Sequence, residues 1–227
     1  MYPTSFAYHR ATSIAEAVQI LGENPEAKIL AGGYSLIPAM KLRLARPELL
    51  VDLGKIDSLR GIRVDADGAH IGALTTYNAV SDHAELHALF PFLADAIRYI
   101  GDPQVRAHGT IGGSLAHADP AADLTAVFLA LNGQVKVTGA QGERTIDADD
   151  FFLDLWTTSI EPDEIITEVV LPAPAAGTIM AYEKYGHPAS GYAIVGVAAV
   201  VTVVDGSVTH ARVAVTGATS KATRASG

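Results

Sequence analysis

The chain has 227 residues, enough for one large domain or two small ones. Hydrophobic residues make up 49% and charged residues 18%, a globular balance with ample core. The formal net charge of −9 argues against general nucleic-acid or acidic-membrane binding, and the lack of cysteine excludes disulfides, thiolate nucleophiles and cysteine-held iron–sulfur clusters within the chain.

Met1-Tyr2-Pro3-Thr4 has no signal-peptide pattern, and the longest apolar run, Ala193 to Val204, is too short to span a bilayer. The expectation is a soluble cytoplasmic protein. Thr12-Ser13 followed by Ile14, Ala17, Val18 and Leu21 predicts a capped amphipathic helix over 12–22. Lys28 to Ala31 reads as a short strand, and Pro38 suits the first turn of a helix carrying Met40, Leu42 and Leu44. Pro47 stops that helix before a strand at 49–53. Residues 69–75 form another strand, with Thr75 or Thr76 capping the next helix. Helices are expected over Phe92 to Tyr99 and Asp123 to Leu131, the second closed by Asn132-Gly133. The texture then turns β-rich over 134–146, 164–171, 178–185, 192–204 and 207–216, with Asp205-Gly206 as a hairpin turn and 172–178 as a connection.

Two glycine pairs punctuate the first half, Ala31-Gly32-Gly33-Tyr34-Ser35-Leu36 and Thr110-Ile111-Gly112-Gly113-Ser114. Glycine has no Cβ, so it can take φ > 0 and admit another group close to the backbone. Successive N–H groups in such a turn converge on an anion. Two loops of this kind could hold the two phosphates of a dinucleotide from opposite sides. An acidic protein binding pyrophosphate would use backbone N–H groups more than a lysine cluster.

With their flanks, Ala31 to Arg43 and Thr110 to Pro120, these segments resemble the two FAD loops of the flavin-binding medium subunits of molybdenum hydroxylases. That family includes carbon monoxide dehydrogenase medium subunits, the closer branch here, and the FAD domain of xanthine dehydrogenase. The resemblance runs from Tyr2 to about Arg224 without large insertions. It implies an α+β fold: a two-part FAD-binding domain of the vanillyl-alcohol-oxidase/PCMH type over 1–174 (subdomains about 1–55 and 56–174). Residues 175–227 would start a β-rich C-terminal domain. Family members usually continue into helices packed on the last sheet, so that domain is expected to be truncated or reduced.

The resemblance also implies one noncovalent FAD, contacted by Ala31, Gly32, Gly33, Tyr34, Ser35, Leu36, Thr110, Ile111, Gly112, Gly113 and Ser114. Ser114 stands where asparagine is common in the family. Asp123 either caps the helix that it precedes or hydrogen-bonds the cofactor, or both. Ile166 would border the cofactor through its backbone or simply pack the core. Lys184 would reach the cofactor or lie solvated on the surface. Tyr192 would pack on the isoalloxazine or start a half-buried strand. His117, Asp119 and Asp123 fit no tight tetrahedral metal pattern. Val213 to Thr219 imitates a nicotinamide-binding turn but lacks its later glycines.

The implied function is electron transfer: an iron–sulfur subunit passes electrons through this flavin to an external acceptor. The molybdenum cofactor and 2Fe-2S clusters would sit on partner subunits, in a dimer of heterotrimers, and no catalytic or metal residue is assigned here. A self-contained FAD-dependent oxidase would need a substrate-covering domain and a base. A cofactor-free assembly protein would not need its glycine loops.

Overall fold

The computed structural model describes residues 1–225. The chain opens with β1 (Ala7–Arg10), α1 (Ile14–Glu23), β2 (Ala27–Leu30), α2 (Leu36–Lys41) and β3 (Leu49–Asp52). β3 runs between β1 and β2, parallel to both. Helix α1 starts where expected because Ser13 accepts the Glu16 N–H, while the Glu16 carboxylate reaches back to the Thr12 N–H. Its buried Ala17, Val18 and Leu21 pack on Val51, and Leu59, Leu74 and Ile165 close the same core.

The chain continues through β4 (Ile62–Asp65), β5 (Gly68–Gly72), α3 (Tyr77–Asp82), α4 (Ala84–Leu89), α5 (Pro91–Arg98), α6 (Pro103–His108), α7 (Ile111–His117) and α8 (Asp123–Ala130). Next come β6 (Gln134–Gly139), β7 (Gly142–Asp147), α9 (Ala148–Phe151), β8 (Phe152–Asp154), β9 (Thr157–Thr158) and β10 (Ile165–Pro172). β4-β5-β10-β6-β7 form an antiparallel five-stranded sheet. The stretch expected as one strand over 134–146 is thus a hairpin, with Gly142 at φ +105 where the second strand begins.

The last elements are β11 (Thr178–Gly186), β12 (Ala193–Val204), β13 (Ser207–Thr216) and β14 (Thr223–Arg224), an antiparallel sheet in that order. Asp205 and Gly206 both take positive φ, the geometry of the expected tight hairpin. Helix α8 is buried along its whole length, because it is apolar on every side and lies between α5, α7 and the last sheet. Tyr182, Ala198, Val200 and Ala214 of that sheet join the core of the five-stranded sheet and its helices. Among the described residues no helix is long and apolar enough to cross a membrane.

Candidate functional site

The first glycine segment leaves the end of β2 and enters α2. Ile37 N–H donates to Gly33 and Ala39 N–H to Ser35. Ahead of them, the N–H groups of Gly32, Gly33, Tyr34, Ser35 and Leu36 find no acceptor among the described residues. Gly33 makes the turn at φ +78. The Ser35 hydroxyl makes no capping bond, which leaves another donor beside the run. The chain from Ala31 to Pro47 carries Lys41, Arg43 and Arg46 and no acidic residue. A run of unengaged backbone donors at a strand-to-helix turn is a donor set for a phosphate-bearing group.

The second segment differs. Thr110 caps α7 by accepting the Gly113 N–H at 3.2 Å, and the Ser114 N–H donates to the Thr110 carbonyl. Ile111 N–H goes to the Thr75 carbonyl and Gly112 N–H to the Ala73 carbonyl. Neither Gly112 nor Gly113 has positive φ. The expected second nest is therefore the first turn of a helix whose N–H groups are already engaged. Gly112 is needed for contact instead: a Cβ there would lie 2.6 Å from the Ala73 Cβ.

The two segments touch. A Cβ on Gly32 would overlap the His108 carbonyl oxygen, and one on Gly113 would sit 3.6 Å from the Ala31 Cβ. The Tyr34 ring stacks on His108 with centroids 5.6 Å apart. The open N–H run is thus walled on one side by the α6–α7 corner. That corner is braced from below, since Ala73 accepts from Gly112 and in turn donates to Thr167. Ile166, buried on β10, adjoins the register shift at Thr167. Nothing in the sequence marked Ala73 or Thr167, because both act through their backbone.

Asp123 opens α8 and is buried. It accepts from the Tyr182 hydroxyl at 2.6 Å and from the Lys184 ammonium at 2.9 Å. Lys184 also donates to the Tyr99 carbonyl at 3.1 Å. Burial pushes the Asp123 carboxyl up, while the Tyr182 hydrogen bond and the Lys184 charge pull it back. Burial and the Asp123 charge push the Tyr182 phenol up. Lys184 is neither solvated nor free: it ties β11 to α8 and α5. Tyr182 went unnoticed in the sequence, yet it lies two residues from Lys184, so both side chains leave one face of the strand.

Tyr192 is 50% exposed at the end of a tight turn, held by His187 N–H to the Tyr192 carbonyl and Gly191 N–H to the His187 carbonyl. Burial pushes its phenol up, helped by the nearby Asp119 and Asp123 charges. The buried Tyr77 phenol is pushed up to about 12, first by burial, with Tyr192 adding to it. The structure therefore joins Asp123 and Lys184, with Tyr192 within reach of the Asp123 charge, and sets Ala31 to Leu36 against the α6–α7 corner.

Residues 4–174 match the family described as "FAD binding domain in molybdopterin dehydrogenase". The chain is 42% identical to the carbon monoxide dehydrogenase medium chain of Hydrogenophaga pseudoflava, covering all of this chain and 79% of that one. It is 38% identical to the nicotine 6-hydroxylase medium subunit of Paenarthrobacter nicotinovorans, over 96% of this chain and 76% of that one. Its fold superposes on a carbon monoxide dehydrogenase structure from Hydrogenophaga pseudoflava with a TM-score of 0.96 at 44% identity, over 99% of this chain and 78% of that chain. A run of unengaged N–H groups, a second glycine segment pressed against it and a match across most of the chain agree: this protein belongs to the family of FAD-binding domains of molybdopterin dehydrogenases.

Proposed function

We propose that this chain is the FAD-carrying electron-transfer subunit of a molybdenum hydroxylase, taking electrons from an iron–sulfur subunit and passing them to an external acceptor. The observation that carries the reading is the unengaged N–H run from Gly32 to Leu36, set directly against the α6–α7 corner. Bound FAD would supply the redox chemistry. The protein's part is to hold and orient it. The first segment would cradle the pyrophosphate with backbone N–H groups and the Ser35 hydroxyl, a donor set that needs no local lysine. Thr110, Ile111, Gly112, Gly113 and Ser114 would present a close-fitting wall, with Gly112 seated on Ala73 and Gly113 leaving room on the side of Ala31. The Asp123–Lys184 pair would fix the angle between α8 and β11, and Tyr192 would cover one face of the ring system with an apolar body and a polar tip.

We read residues about 1–55 and 56–174 as two subdomains of an FAD-binding domain of the vanillyl-alcohol-oxidase/PCMH type, the first core being completed across that division by Leu59, Leu74 and Ile165. Residues 175–227 would begin a C-terminal antiparallel-sheet domain. The separate parallel sheet of β1–β3 and the turn at Gly177 support those divisions. The molybdenum and iron–sulfur centres belong to partner subunits, in a dimer of heterotrimers. Substrate choice is then made on the molybdenum subunit.

The test is an absorption spectrum from about 300 to 600 nm, taken after desalting the complex purified with its partner subunits. The parent should keep flavin bands. Gly32→Val should lose them with its helical signal intact, because the added side chain pushes the loop off His108. Absence of flavin from the parent complex would end the reading.

A further inference from the structure

The first glycine segment and the α6–α7 corner meet without a hydrogen bond between them among the described residues. The corner is fixed from its own side. Tyr77 N–H donates to the Gly109 carbonyl, Ile111 N–H donates to the Thr75 carbonyl, and the Tyr77 ring lies where a Cβ on Gly109 would fall. Its polar side chains serve the corner itself: Asp102 accepts the Val105 N–H and Arg106 donates to the Ile100 carbonyl. The first segment has less to hold it. It runs from the end of β2 into α2, a six-residue helix in which Met40 alone is buried. What crosses the joint is packing: the His108 carbonyl against Gly32, Ala31 against Gly113, and the Tyr34 ring on the His108 ring. The two rings are 16° from parallel with centroids 5.6 Å apart, an offset stack. Tyr34 is 40% exposed and His108 is exposed too, so the stack stands at the mouth of the joint. Tyr34 also contributes its own N–H to the open run, so the segment that offers the donors carries one half of the stack.

We propose that the Tyr34–His108 stack is a clasp on the cofactor cleft, which parts each time FAD enters or leaves, and that His108 is a positioning residue for the cradle. The inference rests on the FAD reading above. A dinucleotide held by the first segment and walled by the second lies between them, and the stack joins the two at the surface. Both halves of the clasp belong to the protein, so opening it costs the same on entry and on exit. Its loss therefore speeds uptake and release together and leaves affinity nearly unchanged. A side chain that gripped the cofactor directly would act on release and affinity and leave uptake alone.

The experiment uses the complex purified with its partner subunits. The variants are Tyr34→Ala, His108→Ala, the two together, Tyr34→Phe and His108→Phe. None of them alters the backbone N–H run or the His108 carbonyl. Release is followed by the fluorescence of FAD freed on dilution, and uptake by its quenching when FAD is added to complex stripped of flavin. Each alanine variant should raise both rates about two- to tenfold, the range that one aromatic pair is worth, with Kd held within about twofold. The double variant should match the faster single one, since either substitution removes the same contact. Both phenylalanine variants should keep the parent rates, because two flat rings still stack. Parent rates in both alanine variants overturn the proposal. So does a Kd that rises in step with release at unchanged uptake, which would make these side chains direct holders of the cofactor. Single effects that multiply in the double variant, or phenylalanine variants as fast as the alanine ones, overturn it too. A parent complex without flavin ends the functional reading and the clasp with it, whereas flavin bound at unmoved rates ends the clasp alone.

Discussion

The two glycine pairs look alike in sequence and behave oppositely in the fold. At Gly32-Gly33 the backbone turns through positive φ and leaves a run of N–H groups open. At Gly112-Gly113 the backbone is helical and its N–H groups are engaged by Thr75, Ala73 and Thr110. One segment offers donors and the other offers a close-fitting wall. A Gly-Gly pair therefore does not by itself announce an anion site. What decides is where each segment's hydrogen bonds go, and that is settled by neighbours distant in sequence.

Gly112→Ala should have the largest effect on the second segment. Its Cβ would meet the Ala73 Cβ at 2.6 Å and the Ala73 Cα at 2.9 Å. Neither atom can swing away, since Ala73 is fixed by backbone bonds to both Gly112 and Thr167. A loss of about 1–3 kcal/mol is expected from overpacking. Chemical denaturation would show it as a lower midpoint at constant slope. An unchanged midpoint would mean that the α7 wall yields, and that the contrast between an open first segment and a rigid second one is overstated.

The Thr110→Ala change asks less of the fold. It removes the hydroxyl that accepts the Gly113 N–H, and should cost about 1 kcal/mol as the loss of one helix cap. It would also free that N–H and make the second segment more like the first. Tighter flavin retention at lower thermal stability would show that the cap competes with the cofactor for this donor. Equal flavin retention would confine the cap to a structural role.

These outcomes bear on how far the sequence could be read. The strands of the last sheet and the Asp205-Gly206 turn were legible, because alternation and a two-residue turn are local signals. Helix α1 was legible from Ser13 and its apolar spacing. The start of α3 was legible from Thr76, which caps it by accepting the Ala79 N–H; helices α4, α6 and α7 were not. Each spans six or seven residues, too few for a periodic stripe, and α7 contains two of the poorest helix formers in its first turn. The hairpin of β6 and β7 read as one strand because both halves carry β-branched residues and only the turn interrupts them. At the site, the positions of both glycine segments were visible and their contact was not. Asp123 and Lys184 were each noticed alone. Their pairing joins residues 61 apart and could not be read from either.

Gly113→Ala is the most delicate way to probe the comparison. Alanine favours a helix interior over glycine by about 1 kcal/mol. Against that, the new Cβ would stand 2.7 Å from the Thr110 hydroxyl, so the threonine must turn and give up its cap, a loss of similar size. Stability should stay within about 0.5 kcal/mol of the parent, because the two effects offset. The contact with the first segment survives, since the Cβ would reach the Ala31 Cβ at an ordinary 3.6 Å. Flavin retention then reports one thing: whether the cofactor itself comes within a methyl group of Gly113. Retention at parent level would place the glycine requirement at Gly32 and Gly112, where protein meets protein. Loss of flavin at unchanged stability would make Gly113 the point of closest approach, and the second segment would bind through the room it leaves rather than through donors.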